Sequence, residues 1–119
     1  MMPPEPVPVR PVVTVRVPYL AAPAGGPPSV TEALRPHLDG KGARIVLHFG
    51  DVRVPASWFL GDFMAAAQLC RRRMASLRLC MVSPPMMNLL RVSGLAGEFP
   101  IHETEAEARE AFAAEEPQP

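Results

Sequence analysis

Few residues of this chain have the type and spacing that chemistry needs. The first is Ser57, which follows a strand-like run and a turn with Pro55, and opens a long Ala/Met/Leu stretch of helical spacing. A hydroxyl at that place caps the helix or accepts a phosphate. A phosphoserine brings ~1.5–2 negative charges, which a helix start favours by ~0.3–1 kcal/mol. Against a partner surface the same charge must be desolvated, at considerable cost when no cation meets it. Modification there would end binding and leave the fold in place. Beside it stand Trp58 and Phe59. The inward face of the helix reads from Leu60, so at least one of these aromatics should face solvent. It is then an interface anchor, or it folds back over Phe63 or the neighbouring loop.

The remaining candidates are weaker. His37, His48 and His102 are scattered, and His48 lies in an apolar run, where it reads as a satisfied core histidine. Asp51 and Asp62 are eleven positions apart on different elements, so they form no evident carboxylate pair. Gly25, Gly26, Pro27 and Pro28 cannot cradle a phosphate, because the prolines lack the amides. A phosphate-receiver domain would need acids at two strand ends and a late lysine. Those ends carry none, and Lys41 is the only lysine. Cys70 and Cys80 have no partner at metal-ligand spacing and read as small core residues of a reduced cytosolic protein. The expectation is no enzyme, no cofactor and no metal.

Charge and hydropathy narrow the partners. Lys and Arg total 12, as do Asp and Glu, so no net field favours nucleic acid or an acidic membrane. Arg71, Arg72 and Arg73 have no interleaved aromatics and read as the polar end of a helix. The acids from Glu103 to Glu116 read as a solvated helix face. No uncharged apolar run spans a membrane, and the start of the chain does not resemble a signal peptide. A cytoplasmic location is expected.

The elements that must position Ser57 alternate along one domain. Residues 1–10 are a Pro-rich, loose lead-in, and residues 115–119 a tail. Pro11 to Tyr19 reads as an edge strand with Pro18 near its end. Ala21 to Pro28 is a loop. Ser29 and Glu32 form a capping box for a short helix that Pro36 disrupts. Ile45 to Phe49 is a strand buried on both faces. From Ser57, Leu60, Phe63, Met64, Ala67, Cys70 and Met74 mark a helix, and the methionines read mostly as core filling. Leu77 to Val82 is a strand, then Ser83 and Pro84 start a helix that Ser93 and Gly94 end. Phe99 to His102 is a short strand, and Thr104 and Glu107 cap a last helix. The reading is an α/β fold of about four to five mostly parallel strands with four helices. Its functional edge is the Val52–Ser57 turn at the carboxyl ends of the strands.

The run from Ile45 to Phe49, the turn Val52 to Ser57, then Leu60 and Gly61 resemble the STAS domain of anti-sigma factor antagonists. So do Leu89 to Leu95, Phe99 to Ile101 and Thr104 to Ala108. The resemblance spans roughly residues 12–112. It implies a STAS-like fold over residues 11–114 and a protein-binding role. The partner would be a kinase-type anti-sigma factor, bound until that serine kinase phosphorylates Ser57. The partner-binding residues would be Pro55, Ala56, Ser57, Trp58, Phe59 and Asp62, with no direct nucleic acid or membrane contact. Ala56 stands where the family commonly has Asp, Trp58 and Phe59 replace small residues, and His48 stands where Asp is usual. A constitutive interaction module that is never phosphorylated is therefore an alternative, with a small-ligand-binding α/β domain as a third.

Overall fold

The computed structural model describes residues 10–19, 29–56 and 58–115. Most of the Pro-rich lead-in, the 21–28 loop, Ser57 and most of the tail lie outside the described residues. The elements run β1 (Val12–Arg16), α1 (Val30–Leu34, continuing as a 3-10 turn over Arg35–His37), β2 (Arg44–His48), α2 (Phe59–Arg72), β3 (Ser76–Cys80), α3 (Pro84–Val92), β4 (Ile101–His102) and α4 (Glu105–Ala114). The four strands lie in sequence order in one sheet, and every pairing is parallel. The register places Arg16, His48, Cys80 and His102 in a single row across the sheet.

Right-handed crossovers between neighbouring strands put the connecting helices on one face. That face carries Val15, Ile45, Leu47, Leu77 and Leu79, packed against Val30 and Leu34 of α1, Phe59 and Phe63 of α2, and Met86 and Leu90 of α3. The other face is thinner: Val46 and Cys80 meet Ala108 and Phe112 of α4. Much of what holds α4 is polar. Arg44 and Arg78 lie against the Phe112 ring, 5.7 and 4.9 Å from its centroid. Arg44 also donates to the Phe112 carbonyl near the helix end, where the helix dipole favours a cation. Arg109 reaches Thr14 Oγ1 and the Val12 carbonyl on β1.

The helix ends follow local chemistry. Ser29, Ser83 and Thr104 cap α1, α3 and α4 through the amides of Glu32, Met86 and Glu107. Pro36 sits in the 3-10 turn that finishes α1. Both α2 and α3 close with paired hydrogen bonds: Ala75 to Cys70 and Met74 to Arg71, then Leu95 to Leu90 and Gly94 to Arg91. The left-handed residue is Gly94 after α3 but Met74, at φ 53°, after α2.

Two expectations about packing are corrected, the first for α2. Its buried face is Phe59, Phe63, Ala66, Ala67 and Cys70, and Leu60 is only half-buried. The helix is rotated by about one residue from the expected stripe, because aromatic Phe59 fills the space under β2. Core filling by methionine also fails at Met64, Met74 and Met81, which are exposed; Met86 is buried. Met74 points outward because it is the left-handed closing residue rather than part of the helix face.

Candidate functional site

The carboxyl ends of β1, β2 and β3 carry a turn over residues 50–56 that the rest of the edge holds in place. Val52 is buried at its centre, and its amide bonds the Phe49 carbonyl at 3.0 Å. Tyr19, just past β1, donates its hydroxyl to the Val54 carbonyl. Ser83, the cap of α3, donates to the Arg53 carbonyl at 2.7 Å. Arg16 makes two hydrogen bonds to Asp51, at 3.0 and 3.2 Å. That guanidinium holds the Asp51 carboxyl below the usual carboxylate range. Three side chains from outside the turn, Arg16, Tyr19 and Ser83, thus fix a loop with little repetitive structure of its own. Tyr19 and Ser83 were not foreseen as contributors, because each acts across thirty or more positions of sequence.

The expected site residues part company here. Pro55 and Ala56 are half-buried on the turn. Trp58 is 42% exposed and stacks on Tyr19, with ring centroids 6.2 Å apart. Of the two readings for its ring, the fold-back takes a specific form: it packs on Tyr19 and edge-on to Phe59 while keeping one side in solvent. Phe59 is fully buried between Phe49 and Phe63. Its expected place at an interface is corrected, since the helix rotation turns it into the core. The cap position of α2 is Trp58, without a side-chain cap bond, one residue later than expected, and Ser57 lies outside the described residues. Asp62 does not present its carboxylate outward. It accepts from Ser29 Oγ, Thr31 Oγ1 and the Val30 amide, so it ties α2 to the start of α1.

The exposed apolar groups along this edge are Val54, Trp58 and Met81. Met81 leaves β3 with φ 57°, a conformation few non-glycine residues adopt, with its side chain 45% exposed. A neighbouring groove is lined by Met81, Val82, Met87, Ile101, His102 and Glu103. The edge presents apolar surface on a pinned turn, which suits a protein partner better than bond-making chemistry. Among the described residues no His, Cys, Asp or Glu group gathers to hold a metal. Likewise, no helix among them is long and apolar enough to cross a membrane.

A model of the STAS domain matches residues 26–108 of this chain. The chain belongs to the STAS domain family. The STAS match takes in α1 to the first part of α4, and so includes the whole 50–56 turn. Among solved structures, an anti-sigma-factor antagonist (STAS) domain protein from Planctomyces limnophilus is similar, with a TM-score of 0.57 and 22% identity. The likeness covers 64% of this chain and 67% of that one. At that identity it establishes the shared fold. A search of curated proteins returns no match.

Proposed function

We propose that this STAS domain is a protein-binding regulatory module whose partner is an anti-sigma factor, docked on the edge formed by the 50–56 turn and Trp58. The carrying observation is Trp58 itself. It is a partly exposed aromatic held on Tyr19 at the start of α2, on the strand edge where α/β sheets place their sites. Rigid aromatics with one free face are common anchors of binding energy. Exposed Val54 and Met81 extend the same surface.

In the fuller reading the partner is also a serine kinase, and phosphorylation of Ser57 ends binding. The chain position supports this, because Ser57 lies between the half-buried Ala56 and Trp58, at the start of α2. A phosphate there adds charge to the surface that docks and leaves the core untouched. Incubation with a kinase-type anti-sigma factor and ATP should add one phosphate, seen by intact mass and located at Ser57 by peptide mapping. Loss of binding should follow. Absence of both binding and phosphate transfer would overturn the proposal.

One observation favours a second reading. Trp58 occupies the cap position with its ring over the turn, where the family pattern has a small residue. In a constitutive module of that kind, Ser57→Asp leaves partner affinity unchanged while Trp58→Ala lowers it. In the switch, Ser57→Asp alone abolishes binding.

A further inference from the structure

The turn that carries the proposed interface is latched at its first residue by a histidine ring. His48 ends β2, half-buried, and its Nδ1 accepts the Gly50 amide at 3.1 Å. A ring nitrogen that accepts a hydrogen bond carries no proton, so this arrangement requires neutral imidazole with its hydrogen on Nε2. The ring also lies close against residue 50. A Cβ there would fall 2.5 Å from His48 Cε1 and 3.0 Å from Nδ1, so the approach depends on glycine.

The same requirement recurs in this row of the sheet. His102 Nε2 lies 3.1 Å from Arg78 Nη1. A guanidinium only donates, so this imidazole also accepts and is neutral. Cys80 lies between the two histidines in register, with Arg16 at the far end of the row.

We infer that His48 is a proton-released latch on the 50–56 turn: protonating Nδ1 breaks its bond to Gly50 and frees the start of the turn. The charged groups around the ring come from every neighbouring element. Arg16 on β1, the register partner of His48, places a guanidinium in the same row. Asp51 in the turn places a carboxylate near the ring. Glu105 on α4 acts on both Arg16 and Cys80 and adds negative charge to the same row. Arg78 on β3 faces His102. Whatever the balance of these charges, a protonated Nδ1 cannot accept the Gly50 amide. A charged ring also competes with Arg16 for Asp51, which loosens the second tie on the turn. The latch is a property of the chain alone, and its effect on partner affinity rests on the reading above.

The test uses the full chain without any partner, so its failure leaves the binding proposal standing, and the converse also holds. The Gly50 amide is followed by heteronuclear NMR across pH 5–8, roughly the range in which imidazoles change charge. The wild type should show a single titration of the Gly50 resonance, with loss of its hydrogen-exchange protection on the acid side. His48→Asn keeps an acceptor oxygen near the Nδ1 position but does not titrate, so its Gly50 resonance should stay constant. His102→Gln should retain the wild-type Gly50 titration. A flat wild-type profile overturns the inference. So does a His48→Asn profile that matches wild type, or a titration lost only in His102→Gln. Fluorescence of Trp58, the sole tryptophan, confirms in each variant that the site is folded at neutral pH.

Discussion

Asp62 on α2 accepts the backbone amide of Val30 at 2.5 Å, so the first turn of one helix caps the helix that precedes it. Ser29 and Thr31 add their hydroxyls to the same carboxylate. The half of the expected capping box that Glu32 would supply is replaced: Glu32 pairs with Arg35 at 2.9 Å. Removing the Asp62 carboxylate strands a part-buried amide and two hydroxyls. Asp62→Ala should cost about 1–3 kcal/mol in urea unfolding, with a smaller loss for Asp62→Asn, which keeps one acceptor oxygen. A loss in partner binding without a loss in stability would instead place Asp62 at the interface.

Tyr19 offers a way to test the turn without touching its exposed surface. Tyr19→Phe keeps the ring on Trp58 but removes the hydroxyl that binds the Val54 carbonyl. One net hydrogen bond is worth about 1 kcal/mol, or about fivefold in affinity if the turn must be ordered to dock. Trp58→Ala should weaken binding by about 2 kcal/mol or more, measured by calorimetry with the anti-sigma factor, and change the unfolding midpoint little.

Met74 should be improvable. It closes α2 at φ 53° with its side chain 67% exposed, so it bears left-handed strain and contributes little packing. The strain is about 1–2 kcal/mol for a side-chain-bearing residue, and glycine's extra chain entropy offsets part of the relief. Met74→Gly should raise stability by about 0.5–1 kcal/mol, read as an upward shift in the urea midpoint at unchanged slope.

Burial pushes the Cys70 and Cys80 thiols up to about 11. Thiols of the unfolded chain ionise near ~8.5, so the folded state holds its protons to higher pH. Stability should therefore be full below that value and decline as pH rises toward about 11. Native protein should react slowly with iodoacetamide at pH 8, and urea should restore the rate. Rapid alkylation of the folded chain would show that one thiol is accessible.

Much of the fold was legible because its signals are local. Ser83 before Pro84, Thr104 before Glu107, Pro36 within a short helix and the apolar run of β2 each settle their element within a few residues. The orientation of α2 was not legible, since Phe59, Leu60, Phe63 and Met64 offer two apolar stripes one position apart. Only the packing of Phe59 against Phe49 and Phe63 decides between them. The site was half-legible for a related reason. The turn and Trp58 stand out in sequence, whereas Tyr19, Ser83 and the Asp62 cap act through contacts 30 or more positions away. The pairing of His48 with Gly50 is local in sequence, yet an apolar strand conceals it.

The unequal faces of the sheet bear on how the chain is made. While β1, α1, β2, α2 and β3 leave the ribosome, they can already bury their shared side. Val46 and Cys80 on the opposite side have nothing to meet until α4 follows. A nascent chain stalled before α4 would show that half-finished surface to chaperones, and the final helix is what turns a folding intermediate into a closed domain.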